Sequence, residues 1–230
     1  MNACLAKEIP YAIIKKSKFT EGAMTYIFDF DGTLVDSMPV FSAMMEEMFR
    51  ESGLPIADDF VKTITPLGYI GTAKYAIDLG CKLSVEEFCA RATQKMEKQY
   101  HNTIPAKAFV AEKLRQLKKN GHSLNVLTAS PHAVLDKCLE RVGLYDLFDN
   151  VWSCEDFATS KADPQIYVRA AAKLGKRAEE CMFVDDNVDA VSTAKKAGMI
   201  AVGIYDDSSK DLVEEMTAAA DIYIYDFSEL

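Results

Sequence analysis

TYIFDFDGTLVDS, residues 25–37, is the stretch whose reading decides the fold. Its opening TYIFDF has the length and composition of a short buried strand, and it runs straight into the turn residues Asp31-Gly32-Thr33. A long helical stretch begins after Asp36-Ser37, with Ser37 the expected N-cap and Pro39 in the first turn. If Asp29 and Asp31 close a strand, its period of two aims both carboxylates to one side. Two negative charges so placed repel, which calls for a cation or a proton beside them.

Downstream, residues 38–104 carry no strand signal. They read as helices near 39–52, 57–64, 68–80 and 84–101, broken at Gly53-Leu54-Pro55, Thr65-Pro66 and Gly80. After Pro105 strand and helix alternate, with helices at 107–119, 131–142, 163–174, 188–197 and 209–218. The strands fall at 123–128, 150–153, 181–186, 199–204 and 221–225. Alternation of this kind implies an α/β fold, a doubly wound parallel sheet covered by helices on both faces. The expected organisation is a core of 24–37 and 105–230 with an all-helical cap of 38–104 inserted after the first strand. Residues 1–23 fit neither part, and Met24 stands just ahead of the strand. Two readings stay open: Met24 is the true start, or the leader is an ordered extension packed on the core.

With 230 residues, 49% of them hydrophobic, the chain can bury a sizeable core, and intrinsic disorder is excluded. A net charge of −9 with no basic cluster longer than Lys15-Lys16 and Lys18 argues against nucleic acid and for a small-molecule partner. No apolar run approaches the ~18 to 20 residues of a membrane span, and the N-terminus lacks a signal core. Cys4, Cys81, Cys89, Cys138, Cys154 and Cys181 form no Cys-x-x-Cys pair, so reduced core cysteines and a cytoplasmic setting are expected. Monomer and homodimer are both compatible with this surface.

In an open parallel sheet ligands bind at the carboxyl ends of the strands. Besides Asp29 and Asp31, the strand at 181–186 ends in a second acidic pair, Asp185-Asp186. Converging carboxylates without imidazole or thiolate favour a hard cation such as Mg²⁺ over Zn²⁺. Thr128-Ala129-Ser130 ends another strand and offers a hydroxyl and helix-opening N–H groups to an anion. Lys161, just before a further helix, offers that anion a positive charge.

Taken together, FDFDGTLVDS (28–37), LTAS (127–130), SKADPQIY (160–167) and FVDDN (183–187) resemble, in order, the four motifs of the haloacid dehalogenase-like superfamily, in its branch with a helical cap after the first strand. The resemblance spans about residues 25–227; Ala162, where relatives often carry proline, departs from it. It implies that Asp29 is a nucleophile forming an aspartyl phosphate and that Asp31 is the general acid and base. It further implies that Mg²⁺ is held by Asp29, Asp186, Asp185 and the Asp31 main-chain carbonyl. Thr128 and Lys161 would hold phosphoryl oxygens, with Gly32 and Thr33 lining the other side. Asp189 is a candidate for orienting the metal loop. Asp36-Ser37 and Thr103 to Pro105 are hinge candidates for a closing cap.

For the leaving group, the turn from Thr65 to Thr72 offers Gly68 and Tyr69, with Lys74 on the helix it opens. His132 follows the second motif and is a lesser candidate, whereas Phe41, Met44, Met45 and Met48 read as a packing stripe. The leading function is a Mg²⁺-dependent phosphatase acting on a small phosphorylated metabolite, of the phosphoglycolate or sugar-phosphate phosphatase kind. A sugar phosphomutase of the β-phosphoglucomutase type shares these residues and is the runner-up, followed by a non-catalytic binding protein. Asp31 disfavours dehalogenation, which has no oxyanion leaving group to protonate. Phosphonate hydrolysis would need a Schiff-base lysine in the cap, for which Lys62 and Lys74 are the candidates.

Overall fold

The computed structural model describes residues 22–230. The first 21 residues, with Cys4, Lys15, Lys16 and Lys18, lie outside the described residues, so both readings of the leader and of Met24 as a start do too. Six parallel strands form one sheet in the order β3-β2-β1-β4-β5-β6. They are β1 (Thr25–Phe28), β2 (Ser123–Thr128), β3 (Asn150–Ser153), β4 (Cys181–Asp185), β5 (Ile200–Ile204) and β6 (Ile222–Ile224). β1 pairs with both β2 and β4, so the chain reverses its direction of winding there. That reversal opens the crevice where α/β sheets bind ligands.

Strand alternation assigns the two faces. Tyr26, Phe28, Leu124, Val126, Met182 and Val184 pack on one side, under α5 (Val110–Lys119) and α6 (His132–Arg141). Ile27, Leu127 and Phe183 pack on the other, under α7 (Pro164–Lys173) and α8 (Val188–Lys196), and α9 (Val213–Ala219) joins them through Met216 against Ala201. Asn125 is wholly buried yet satisfied, donating to the Tyr26 carbonyl and accepting from Asn150.

Between β1 and α5 lie four helices: α1 (Met38–Glu51), α2 (Phe60–Ile64), α3 (Gly68–Asp78) and α4 (Val85–Asn102). Their apolar faces, among them Phe41, Met44, Met45, Met48 and Phe49 with Phe88, Ala92, Met96 and Tyr100, share one cluster with the first sheet face. α4 starts on a reciprocal capping box between Ser84 and Glu87. The chain leaves and re-enters the sheet region side by side: Asp36 N–H donates to the Pro105 carbonyl at 2.9 Å, and Val35 bridges Ala106.

Several local expectations are corrected. The helix expected at 57–64 is confined to Phe60–Ile64, followed by a 3-10 turn at Thr65–Leu67. The helix expected from 107 starts at Val110, because Phe109 takes a left-handed conformation (φ 64°). The helix expected at 209–218 is a 3-10 segment, Asp207–Leu212, leading into α9. Ser37 precedes α1 but makes no capping hydrogen bond.

Candidate active site

The site begins where β1 stops. Asp29 N–H extends the ladder by donating to the Val184 carbonyl at 2.9 Å, but the strand itself ends at Phe28. The chain then curls, the Phe30 carbonyl accepting from both Leu34 and Val35, with Gly32 at φ +71°. Strand alternation is therefore not what aims Asp29 and Asp31, since the strand stops before them; the turn gives their carboxylates different partners, although the Asp29 charge still acts on Asp31.

Asp29 faces β4 and the segment before α7. Its Oδ1 lies 2.7 Å from Lys161 Nζ, which also donates to Asp185 Oδ2 at 2.7 Å. The Asp185 Oδ1 accepts from Asn187 N–H at 2.8 Å, so both its oxygens are engaged. Asp186 Oδ1 accepts from Thr33 Oγ1 at 2.9 Å, and Asp186 N–H donates back to the same hydroxyl at 3.2 Å. Asp29, Asp185 and Asp186 are all buried and present carboxylate oxygens within 4.8 Å of one another. Gly32 makes this approach possible, since a Cβ there would run into the Asp186 carboxylate.

The electrostatics follow from packing three carboxylates around one ammonium. Burial, only partly offset by the Lys161 charge and reinforced by Asp29, pushes the Asp185 carboxyl up to about 7. Burial and the charges of Asp185 and Asp29 push Asp186 well above the carboxylate range. Burial alone would lower the Lys161 ammonium, but Asp185 and Asp29 hold it well above its ordinary value. One cation does not balance this cluster. Asp29 Oδ1 is buried without an aligned hydrogen bond, and all the donors are hard oxygens, so the cluster fits a divalent cation of the Mg²⁺ kind.

Asp31 lies on the other side of the turn. Its Oδ1 accepts from Tyr100 Oη at 2.5 Å and its Oδ2 from Ser130 Oγ at 2.6 Å. Burial first, and the Asp29 charge second, raise its carboxyl above the usual value in spite of these hydrogen bonds. The Asp31 carboxylate stands outside the triad of acids, which leaves its main-chain carbonyl for the metal role implied by the resemblance.

Thr128 ends β2 buried, its Oγ1 accepting from Ser130 N–H at 3.1 Å, so its own proton is uncommitted. Ala129, Ser130, Gly68 and Tyr69 line one pocket with Asp31. Other candidates are placed elsewhere. Thr33 is fully buried and serves Asp186 instead of lining a pocket. Lys74 is exposed on α3 and does not line the pocket, because its position faces away from the helix side carrying Thr72, Ala73 and Ala76 into the core. Lys62 is exposed and pairs with Asp211 at 3.0 Å, which is no setting for a desolvated amine. His132 is held between Asp136 and Asp156 at 3.0 and 2.9 Å, and those hydrogen bonds raise its pKa. Asp189 is exposed on α8.

Three residues escaped the sequence reading. Tyr100 reaches Asp31 from the last turn of α4, and its spacing from Phe88, Ala92 and Met96 is that of a helix's packing face, which marks no chemistry. Lys107 donates to the Gly32 carbonyl at 2.7 Å, the Tyr205 carbonyl at 3.0 Å and Asp206 Oδ2 at 2.8 Å, tying the turn after β1 to the end of β5. Asp206 follows a strand end, a signal that the edge rule could have used.

On a sheet of this winding with such an acidic edge, the model of the haloacid dehalogenase-like hydrolases matches residues 23–198. The chain belongs to that family. It is 28% identical over 179 residues to hexitol phosphatase B of Escherichia coli strain K12, covering 76% of this chain and 81% of that one. It is 27% identical over 182 residues to phosphoglycolate phosphatase of Yersinia pestis, covering 77% and 78%. Among solved structures, CbbY of Rhodobacter sphaeroides in complex with phosphate superposes with a TM-score of 0.75 at 20% identity, covering 91% of this chain and 96% of that one.

Proposed function

We propose that this chain is a Mg²⁺-dependent phosphatase that hydrolyses a small organic phosphomonoester through an aspartyl phosphate on Asp29. The observation that carries the reading is the contrast between two carboxylates two residues apart. Asp29 faces a lysine and two further acids, whereas Asp31 is held by the hydroxyls of Tyr100 and Ser130. Such a division suits a nucleophile and a proton carrier. The relatives that are phosphatases by name support the same reaction class.

Asp29 and Asp186 would hold the cation directly together with the Asp31 carbonyl, while Asp185, both of whose oxygens are engaged, positions Lys161 and the loop. The cation supplies charge neutralisation when an anionic nucleophile meets an anionic phosphoryl group. An Asp29 oxygen attacks phosphorus, the bond from phosphorus to the leaving oxygen breaks, and Asp31 gives that oxygen its proton. Water then attacks the aspartyl phosphate and loses a proton to Asp31. The bond between phosphorus and the Asp29 oxygen breaks, releasing phosphate and restoring both carboxyls. Lys161 and Thr128 orient the phosphoryl oxygens. The helices of 38–104 act as a cap that excludes water, turning about the two connecting segments joined at Asp36 and Pro105.

The test is phosphate release from a panel of phosphorylated metabolites with Mg²⁺, beside Asp29→Asn and an EDTA control. Release lost in both controls is expected. Isomerised sugar phosphate in place of free phosphate would instead identify a mutase.

A further inference from the structure

Resting on the phosphatase reading, we infer that the leaving group is an uncharged, predominantly apolar alcohol, and that neither a carboxylated nor a polyhydroxylated one fits. A proton that travels from Asp31 to the leaving oxygen places the leaving group on the Asp31 side of the site. On that side lies a pocket of about 380 Å³, bounded by α1, the start of α3, α4 and the start of α6.

Its wall is made of Met38, Phe41, Tyr69, Ile70, Met96 and Val134, with Phe41 and Tyr69 in edge contact at 5.3 Å between ring centres. Among the described residues Asp31 is the only charged one lining it, and that lining includes no Lys, Arg or His. A carboxylate brought there would lose its water against an apolar wall with no cation among the described lining residues to receive it.

Free hydroxyls are few. Tyr100 and Ser130 are committed to Asp31, Thr65 Oγ1 donates to the Val61 carbonyl at 2.7 Å, and Tyr69 and Thr93 offer one hydroxyl each. Ser37 Oγ is buried beside Asp31 and turned away from the pocket's open space. A polyol would bury more hydroxyls than Tyr69 and Thr93 can meet, most of them against methyl and ring surface. Ile70 is 61% exposed at the rim, the largest exposure of any large apolar side chain among the described residues. An apolar leaving group would cover it.

The test is a ladder of ethyl, butyl and hexyl phosphates, whose leaving alcohols differ only in length, run beside glucose 6-phosphate and 2-phosphoglycolate with Mg²⁺. The expected kcat/KM rises by about twofold to fourfold per added methylene, and hexyl phosphate exceeds both polar substrates by at least about tenfold. A flat ladder, or glucose 6-phosphate or phosphoglycolate ahead of hexyl phosphate, overturns the inference while leaving the phosphatase reading standing. Release from no member overturns the phosphatase reading and the inference with it. Thr93→Lys places an ammonium on an exposed α4 position of the lining, where folding tolerates it. It should shift the phosphoglycolate to hexyl phosphate ratio of kcat/KM about tenfold toward phosphoglycolate. An unmoved ratio overturns the placement of the leaving group in this pocket.

Discussion

On the sheet side of Asp31, three buried carboxylates crowd one lysine within a space of a few ångströms; on the helical side, methionine, phenylalanine and tyrosine surround a pocket with hardly a free polar group. The acids are buried while the pocket opens to solvent at its rim, and the two regions differ in what holds them. The acidic edge is fixed by main-chain geometry, through the β1–β4 ladder, the Gly32 turn and the reciprocal bonds of Thr33 with Asp186. The pocket is fixed by side-chain packing among helices, which tolerates substitution of one apolar residue by another. On the proposed reading the chemistry sits on rigid backbone and the selectivity on replaceable walls, a division that lets one reaction be offered to different alcohols.

The hardest blow to the acidic side is Asp29→Asn, expected to lower phosphate release by at least about 10³-fold, since an amide is no nucleophile here. If the variant kept a tenth of the wild-type rate, the two sides would have been assigned the wrong roles. Gly32→Ala forces a methyl group against Asp186 at a positive φ. We expect a loss of about 2 to 3 kcal/mol in urea unfolding, together with weakened Mg²⁺ dependence of activity.

Lys107→Met tests the strap beneath both regions. It leaves Asp206, 4% exposed, without its cation and should cost about 3 kcal/mol at pH 7. Burial raises the Asp206 carboxyl, but the charge and hydrogen bonds of Lys107 with those of Ser208 outweigh it and hold the carboxyl below its usual value. The stabilisation is accordingly complete above the unfolded carboxyl value of about 3.9 and is lost as pH falls through the lower folded value. The difference between wild type and variant should shrink below about pH 4.

Tyr100→Phe removes one of the two hydroxyls on Asp31 while keeping the ring stacked on Phe30 at 5.8 Å. Its expected signature is a kcat lowered by about tenfold with KM nearly unchanged, because the hydroxyl positions the proton carrier and not the substrate. A raised KM at constant kcat would place Tyr100 on the selectivity side instead. The smallest effect belongs to His132→Gln. The Asp136 and Asp156 hydrogen bonds raise the imidazole pKa, so its stabilisation is full below about 6.5 and fades as pH rises through the folded value. With the side chain 38% exposed, a few tenths of a kcal/mol is the expected size. A pH titration of the ring by NMR gives the sign.

The acidic side was legible in the sequence, because strand periodicity and the turn residues Asp31-Gly32-Thr33 put Asp29, Asp185, Asp186, Thr128 and Lys161 at one sheet edge. The different aims of Asp29 and Asp31 were not, since they depend on how the chain curls after Phe28. The apolar side was legible only as packing. Tyr100 continues the stripe that buries Met96, and nothing in a helical period tells a core phenol from one aimed at a carboxylate. Lys107 and Asp206 meet across 99 residues, beyond the reach of any local pattern. Lys74 was overrated because a cation beside glycines suggests a binding turn, whereas helical phase decides where it points.

The reciprocal bonds between Thr33 and Asp186 span 153 residues, and the strands they lock together are neighbours in the middle of the sheet. As the chain is synthesised, β1 emerges first of the six strands and then waits through the whole helical segment and two further strands before β4 can close beside it. Contacts of such separation slow folding, because the chain loses the freedom of a long loop before the pairing rewards it. Nascent β1, apolar and unpaired on both edges, is thus the segment most exposed to mispairing or chaperone capture during biogenesis. The enzyme becomes competent only when its last acidic pair arrives.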